Sequence, residues 1–118
     1  MSQPICWLLV GLVHLIPALA LFRPSLITQL YGIAPDSPVF LLMHHRAALF
    51  FAVLVACIWA AFDADGRRLA TVLAAISMVS FLYLYQSRGR PASLGTIARA
   101  DLIGLVPLAW AGWQAFQQ

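Results

Sequence analysis

The sequence predicts an all-α fold, an integral membrane four-helix bundle with a short interfacial helix between its first and second spans. Three observations carry that prediction. Of 118 residues, 63% are hydrophobic and 9% are charged, against about half and about a quarter in soluble domains. A soluble fold of this length has too little interior to hide so much apolar surface. The apolar residues also gather in four long runs separated by short polar stretches, each long enough as a helix to match a hydrocarbon core of about 30 Å.

Residues 1–118 therefore read as a single transmembrane domain with spans at about 4–22, 38–62, 69–85 and 96–116. In the first span, Ala18-Leu19-Ala20 imitates a signal-peptidase site, but the basic n-region of a secretory signal is missing, so the segment is expected to be retained. Pro17 predicts a kink there and Pro107 a second one in span four. After Arg23-Pro24, Ser25 can cap a short amphipathic stretch through Tyr31 that Gly32 ends, the expected interfacial helix. Ser37 or Asp36 then caps span two with Pro38 as its first helical residue. Ala52, Ala56 and Ala60 recur at four-residue steps and predict a close helix approach. The loop Asp63-Ala64-Asp65-Gly66-Arg67-Arg68 is short enough to make spans two and three antiparallel neighbours. Trp110 and Trp113 fall near the end of span four, where an aromatic belt is expected.

All seven basic residues are Arg and all four acidic ones Asp, for a net charge of +3. The Arg residues are scattered over loops and helix ends rather than interleaved with aromatics on one face, which argues for headgroup anchoring and against nucleic-acid binding. Arg23, Arg88 and Arg90 outnumber Arg67 and Arg68, so the positive-inside rule favours both termini outside. Cys6 and Cys57 have no metal-site spacing and read as small core residues, with a disulfide between them geometrically conceivable. The expected partner is the lipid bilayer, with room for a homo-oligomer or a larger membrane complex.

The informative residues are those that interrupt the spans: His14, His44-His45-Arg46, Ser77, Ser80, Tyr83 and Asp101. At about 1.5 Å per residue, His14 and His45 lie level, roughly 10–12 Å in from one face. Arg46 lies near the same depth, and Ser77, Ser80 and Tyr83 climb span three at three-residue steps on what reads as one side. Strong polar groups are thus expected only in the half of the bundle under the first and third loops, with the half toward the termini apolar and small-residue packed. An unpaired Arg at that depth is costly, and Asp101 is the carboxylate placed to offset it, so an Arg46–Asp101 pair is predicted, with Arg99 as competitor.

Three readings of this cluster compete. The pair and its hydroxyl neighbours can fix helix order and register. They can form a proton, ion or small-ligand site built on His45 and Asp101; the length is that of small multidrug transporters, although the first-span glutamate of those proteins is absent. Or His14 and His45 can serve as axial ligands of a b-type haem, of which only one of the adjacent His44 and His45 could be a member, because neighbours on a helix point about 100° apart. No metal and no other cofactor is expected.

The segments His44-His45-Arg46-Ala47-Ala48-Leu49-Phe50, Ser77-Met78-Val79-Ser80-Phe81 and Ala100-Asp101-Leu102-Ile103-Gly104-Leu105 resemble the pattern of a family of small, uncharacterised four-span bacterial membrane proteins, and the resemblance extends to Leu30-Tyr31-Gly32. The usual Arg-His-Arg has His44 at its first position here. Members often carry the label phosphopantetheine adenylyltransferase, which this sequence contradicts: it has no Gly-rich phosphate loop, no His-x-Gly-His motif and no soluble domain. The resemblance implies a multi-pass protein of the bacterial inner membrane whose motif residues are the polar cluster. Conventional catalysis finds no metalloprotease motif, paired intramembrane carboxylates or nucleophile elbow. The expected role is an accessory or assembly-type bundle, with a small proton-coupled transporter or ligand-binding bundle as the alternative and a haem or quinone redox protein as a further one.

Overall fold

The structure, a computed structural model, describes residues 2–91 and 94–117; residues 92–93 of the third predicted loop lie outside them. The chain is all-helical, with 83% helix and no strand among the described residues. Five helices follow in order: α1 (Gln3–Leu19), α2 (Ser25–Tyr31), α3 (Pro38–Phe62), α4 (Arg67–Ser87) and α5 (Gly95–Ala115), with one 3₁₀ turn, Ala64–Gly66, before α4. By length and composition two of them qualify to cross a membrane, α3 and the stretch Ala64–Ser87. That is fewer than the four spans expected, because α1 has only 17 residues and α5 carries Arg99 and Asp101 in its first turns.

Local chemistry accounts for the helix ends. The Ser37 side chain accepts a hydrogen bond from the Val39 amide at 3.2 Å, and Pro38, which has no N–H to leave unpaired, opens α3. Gly32 ends α2 at φ 69°, a left-handed turn that costs a glycine nothing. Asp63 closes α3 by accepting from the Asp65 amide at 3.0 Å and from the Trp59 indole at 3.0 Å. Span one is shorter than expected: ahead of Arg23-Pro24 the chain tightens through three-residue turns (Ala20 to Pro17, Leu21 to Ala18, Phe22 to Leu19) instead of continuing as α-helix to Phe22. Pro107 does not end α5.

The four long helices form a ring. α1 packs on α3 and α5, and α4 packs on α3 and α5, so α1 faces α4 across one diagonal and α3 faces α5 across the other. The core is built from Cys6, Trp7, Val10, Ala60, Ala74, Met78 and Ala111, with both cysteines free. α2 docks through Ile27 onto Ala47 of α3. Two glycines bring α5 close to its neighbours. A Cβ on Gly104 would lie 2.7 Å from Val13 Cγ2 and 2.8 Å from Met78 Cε, and one on Gly112 would lie 2.6 Å from Thr71 Cγ2. The alanine stripe of α3 fails as a seam because four-residue steps drift by about 40° each: Ala60 is buried, Ala56 half-buried and Ala52 exposed.

Candidate functional site

His14 is fully buried on α1 and uses both ring nitrogens. Nδ1 lies 3.0 Å from the Val10 carbonyl, and Nε2 lies 3.0 Å from Ser77 Oγ on α4. A carbonyl can only accept, so Nδ1 carries the proton, and in the neutral ring Nε2 accepts from the Ser77 hydroxyl. This bond crosses the α1–α4 diagonal through the middle of the ring. The Phe50 ring of α3 lies 5.6 Å from the imidazole, and the Arg46 guanidinium stacks over the same Phe50 at 4.4 Å.

Arg46 leans toward the interfacial helix. Its Nη1 donates to the Tyr31 hydroxyl at 3.2 Å, and its guanidinium lies 5.6 Å from the Tyr31 ring. The stem therefore spans apolar surface while the charged end reaches the hydroxyl of Tyr31 on α2, as long cationic side chains do. The aromatic faces and the phenol take the place of the expected counter-charge.

The predicted Arg46–Asp101 ion pair is not formed. Asp101 is 6% exposed on α5, and among the described residues no basic nitrogen lies within 4.0 Å of its carboxylate, although the Arg46 charge acts on it through space. The two residues stand on opposite helices of the α3–α5 diagonal, which in a four-helix ring are further apart than neighbours.

His44 and His45 exchange the places expected of them. The His44 ring lies 2.9 Å from the Leu21 carbonyl, where it tethers α3 to the unwound end of α1, while His45 is exposed. His14 and His45 therefore do not converge, and an axial pair for haem is not assembled from them. Tyr83 is 71% exposed and also leaves the cluster, because two three-residue steps rotate it by about 120° from Ser77. Ser80 is exposed, and its hydroxyl donates to the Ser77 carbonyl at 3.3 Å. Among the described residues no group of three or more His, Cys or Asp side chains is placed to hold a metal. Of the seven predicted cluster residues, the structure joins His14 to Ser77 directly and reaches Arg46 through Phe50.

A second polar assembly, at the end of the bundle expected to be apolar, was not foreseen. Gln3 Nε2 donates to Gln114 Oε1 at 2.6 Å, and the Trp7 indole donates to Gln3 Oε1 at 2.9 Å. Arg67 Nε donates to the Ala60 carbonyl at 2.8 Å, and Arg68 Nε to the Ala115 carbonyl at 3.3 Å. The available signal was that Gln3 and Gln114 lie at the outer ends of antiparallel helices, with Trp7 one turn along from Gln3. These bonds close helix ends whose last carbonyls have no partner in the ladder.

Set against family models, curated proteins and solved structures, the chain finds no match among any of them.

Proposed function

We propose that the chain is a four-span protein of the bacterial inner membrane that works by association rather than catalysis, an accessory or assembly-type bundle. The observation that carries this reading is an inside-out distribution of side chains. Small residues fill the interior, while Leu12 and Ile16 of α1, Leu41 and Leu42 of α3, Leu69 and Ile76 of α4 and Ile103 and Val106 of α5 are exposed. The outer face of α5 supports four spans: its mean hydropathy is lowered by polar residues, yet Ile103 is 71% and Val106 70% exposed, with Leu102, Trp110 and Trp113 beside them. A face of that kind is stable against lipid and a liability in water. The buried polar groups support the same reading, since no fully buried side-chain nitrogen or oxygen among the described residues lacks a partner, as expected of groups that hold helices together.

The test is topology. Reporter fusions after Gln118 and within Ala64–Gly66 should fall on one side of the membrane and a fusion at Gly89 on the other. A C-terminus on the same side as Gly89 would overturn the four-span reading.

The alternative of a proton-coupled or ligand-binding bundle is favoured by one observation: Asp101 is only 6% exposed on α5, and since no fully buried side-chain oxygen among the described residues lacks a partner, its carboxylate oxygens keep access to the surface of the bundle. In liposomes, Asp101→Asn should abolish a pH-driven flux under this alternative and leave it unchanged under the accessory reading.

A further inference from the structure

The α3–α4 seam is the thin wall of the ring. The two helices leave the tight turn at Ala64–Gly66 and separate, and cavities follow one another along the gap. The first, about 280 Å³, lies against Ala52, Ala56 and Ala70. The next, about 500 Å³, is lined by Leu49, Val53, Leu73 and Ile76. The last, about 410 Å³, opens toward the α4 end between Tyr31, Met43 and Arg88. Arg46, Phe81 and Leu84 line both of the larger two, so these lie side by side along the cleft.

The charge in this cleft is of one sign. Arg46 and Arg88 border it, and no acidic residue lines either large cavity. Arg46 spends one N–H on Tyr31; its other guanidinium nitrogens have no partner among the described residues and, because no fully buried nitrogen is left unpaired, remain accessible on a side chain that lines both cavities. Phe50 and Tyr31 hold the guanidinium plane, so little freedom remains to be lost when an anion arrives.

We propose that this cleft binds one anionic phospholipid of the surrounding bilayer, with its phosphate between Arg46 and Arg88 and one acyl chain lying along the α3–α4 seam. The proposal rests on the membrane-spanning reading above. Two guanidiniums at the mouth match a phosphate, whose several oxygens accept charge-assisted hydrogen bonds from both. The apolar walls further in match a chain that is already in hydrocarbon. The mouth lies at the end of α4 beside the interfacial helix, at the level where headgroups belong.

Native mass spectrometry of the full chain in mild detergent tests this, with phosphatidylglycerol, phosphatidylcholine, oleate and inorganic phosphate as separate probes. One phosphatidylglycerol should be retained in preference to the other three, and retention should fall about ten-fold in Arg46→Gln and again in Arg88→Gln. Leu73→Trp keeps both arginines but fills the seam, and should also lose the lipid. Arg88 is exposed, so Arg88→Gln carries the test should Arg46→Gln fail to fold. Equal retention by wild type and variants, equal retention of phosphatidylcholine, or tighter binding of oleate or of phosphate alone would each overturn the proposal. A carbonate wash of membranes separates the two readings. A chain that stays in the membrane without preferring phosphatidylglycerol loses only the lipid site, and a chain that washes off loses the spanning reading as well.

Discussion

His14 Nε2 and Ser77 Oγ lie 3.0 Å apart, and their bond joins α1 to α4 through the centre of the ring rather than along its rim. The other diagonal separates Arg46 from Asp101. One polar contact thus occupies the middle of the bundle, and the strongest charges stand on either side of it without touching.

Removing that contact should loosen the bundle measurably. Ser77→Ala leaves the buried His14 Nε2 without a partner, with an expected cost of about 1–3 kcal/mol. A double-mutant cycle with His14→Phe should return a coupling of roughly 0.6–1.7 kcal/mol, the range for hydrogen bonds between membrane helices. Reversible unfolding in mixed micelles measures it, and a coupling of zero would mean that the two side chains do not share a bond.

Gly104→Ala should destabilise by about 1–3 kcal/mol. The new methyl would meet Val13 Cγ2 at 2.7 Å and Met78 Cε at 2.8 Å. Met78 can yield at its flexible end, but Val13 is β-branched and stiff, so Val13→Ala in the same chain should recover most of the loss. If Gly104→Ala melts with the wild type, α5 is not held this close to α1.

Asp101→Asn should leave thermal stability at neutral pH unchanged or raised. The carboxylate has no cation within 4.0 Å among the described residues, so the substitution removes a charge from a side chain only 6% exposed and breaks no contact pair. A loss of about 3–5 kcal/mol, the cost of opening a buried salt bridge, would show that Arg46 and Asp101 are in contact after all.

Gly32→Ala should cost about 1–2 kcal/mol, from the left-handed φ of 69° rather than from any clash, since the space around Gly32 is open. Gly32→Asn should recover part of it because asparagine tolerates that conformation. A melting curve for each variant distinguishes backbone strain, which ranks Ala below Asn, from a side-chain contact, which would not.

Elements set by local bonds are legible along the chain. The expected second span, 38–62, coincides with α3 because Ser37-Pro38 and Asp63 act locally, each through bonds to amides within two residues. α2 ends at Gly32 on an equally local ground, the left-handed φ of 69°. The small residues of α5 were in view as letters, but their role as the close seam depended on which helix came to lie against them.

The polar cluster shows where local information ends. The sequence by itself determined which residues are polar within the apolar runs and about how deep each lies, because depth follows from position in a helix of fixed rise. Only the tertiary structure decided which way each one points. His44 turns inward and His45 outward, two outcomes about 100° apart on the same turn, and that choice is made by the rotation of α3 as it packs on α1. The order of helices around the ring likewise placed Arg46 and Asp101 on a diagonal. Position along the rise is a property of one helix; facing and neighbourhood are properties of four helices packed together, so the first is legible in the sequence and the contacts are not.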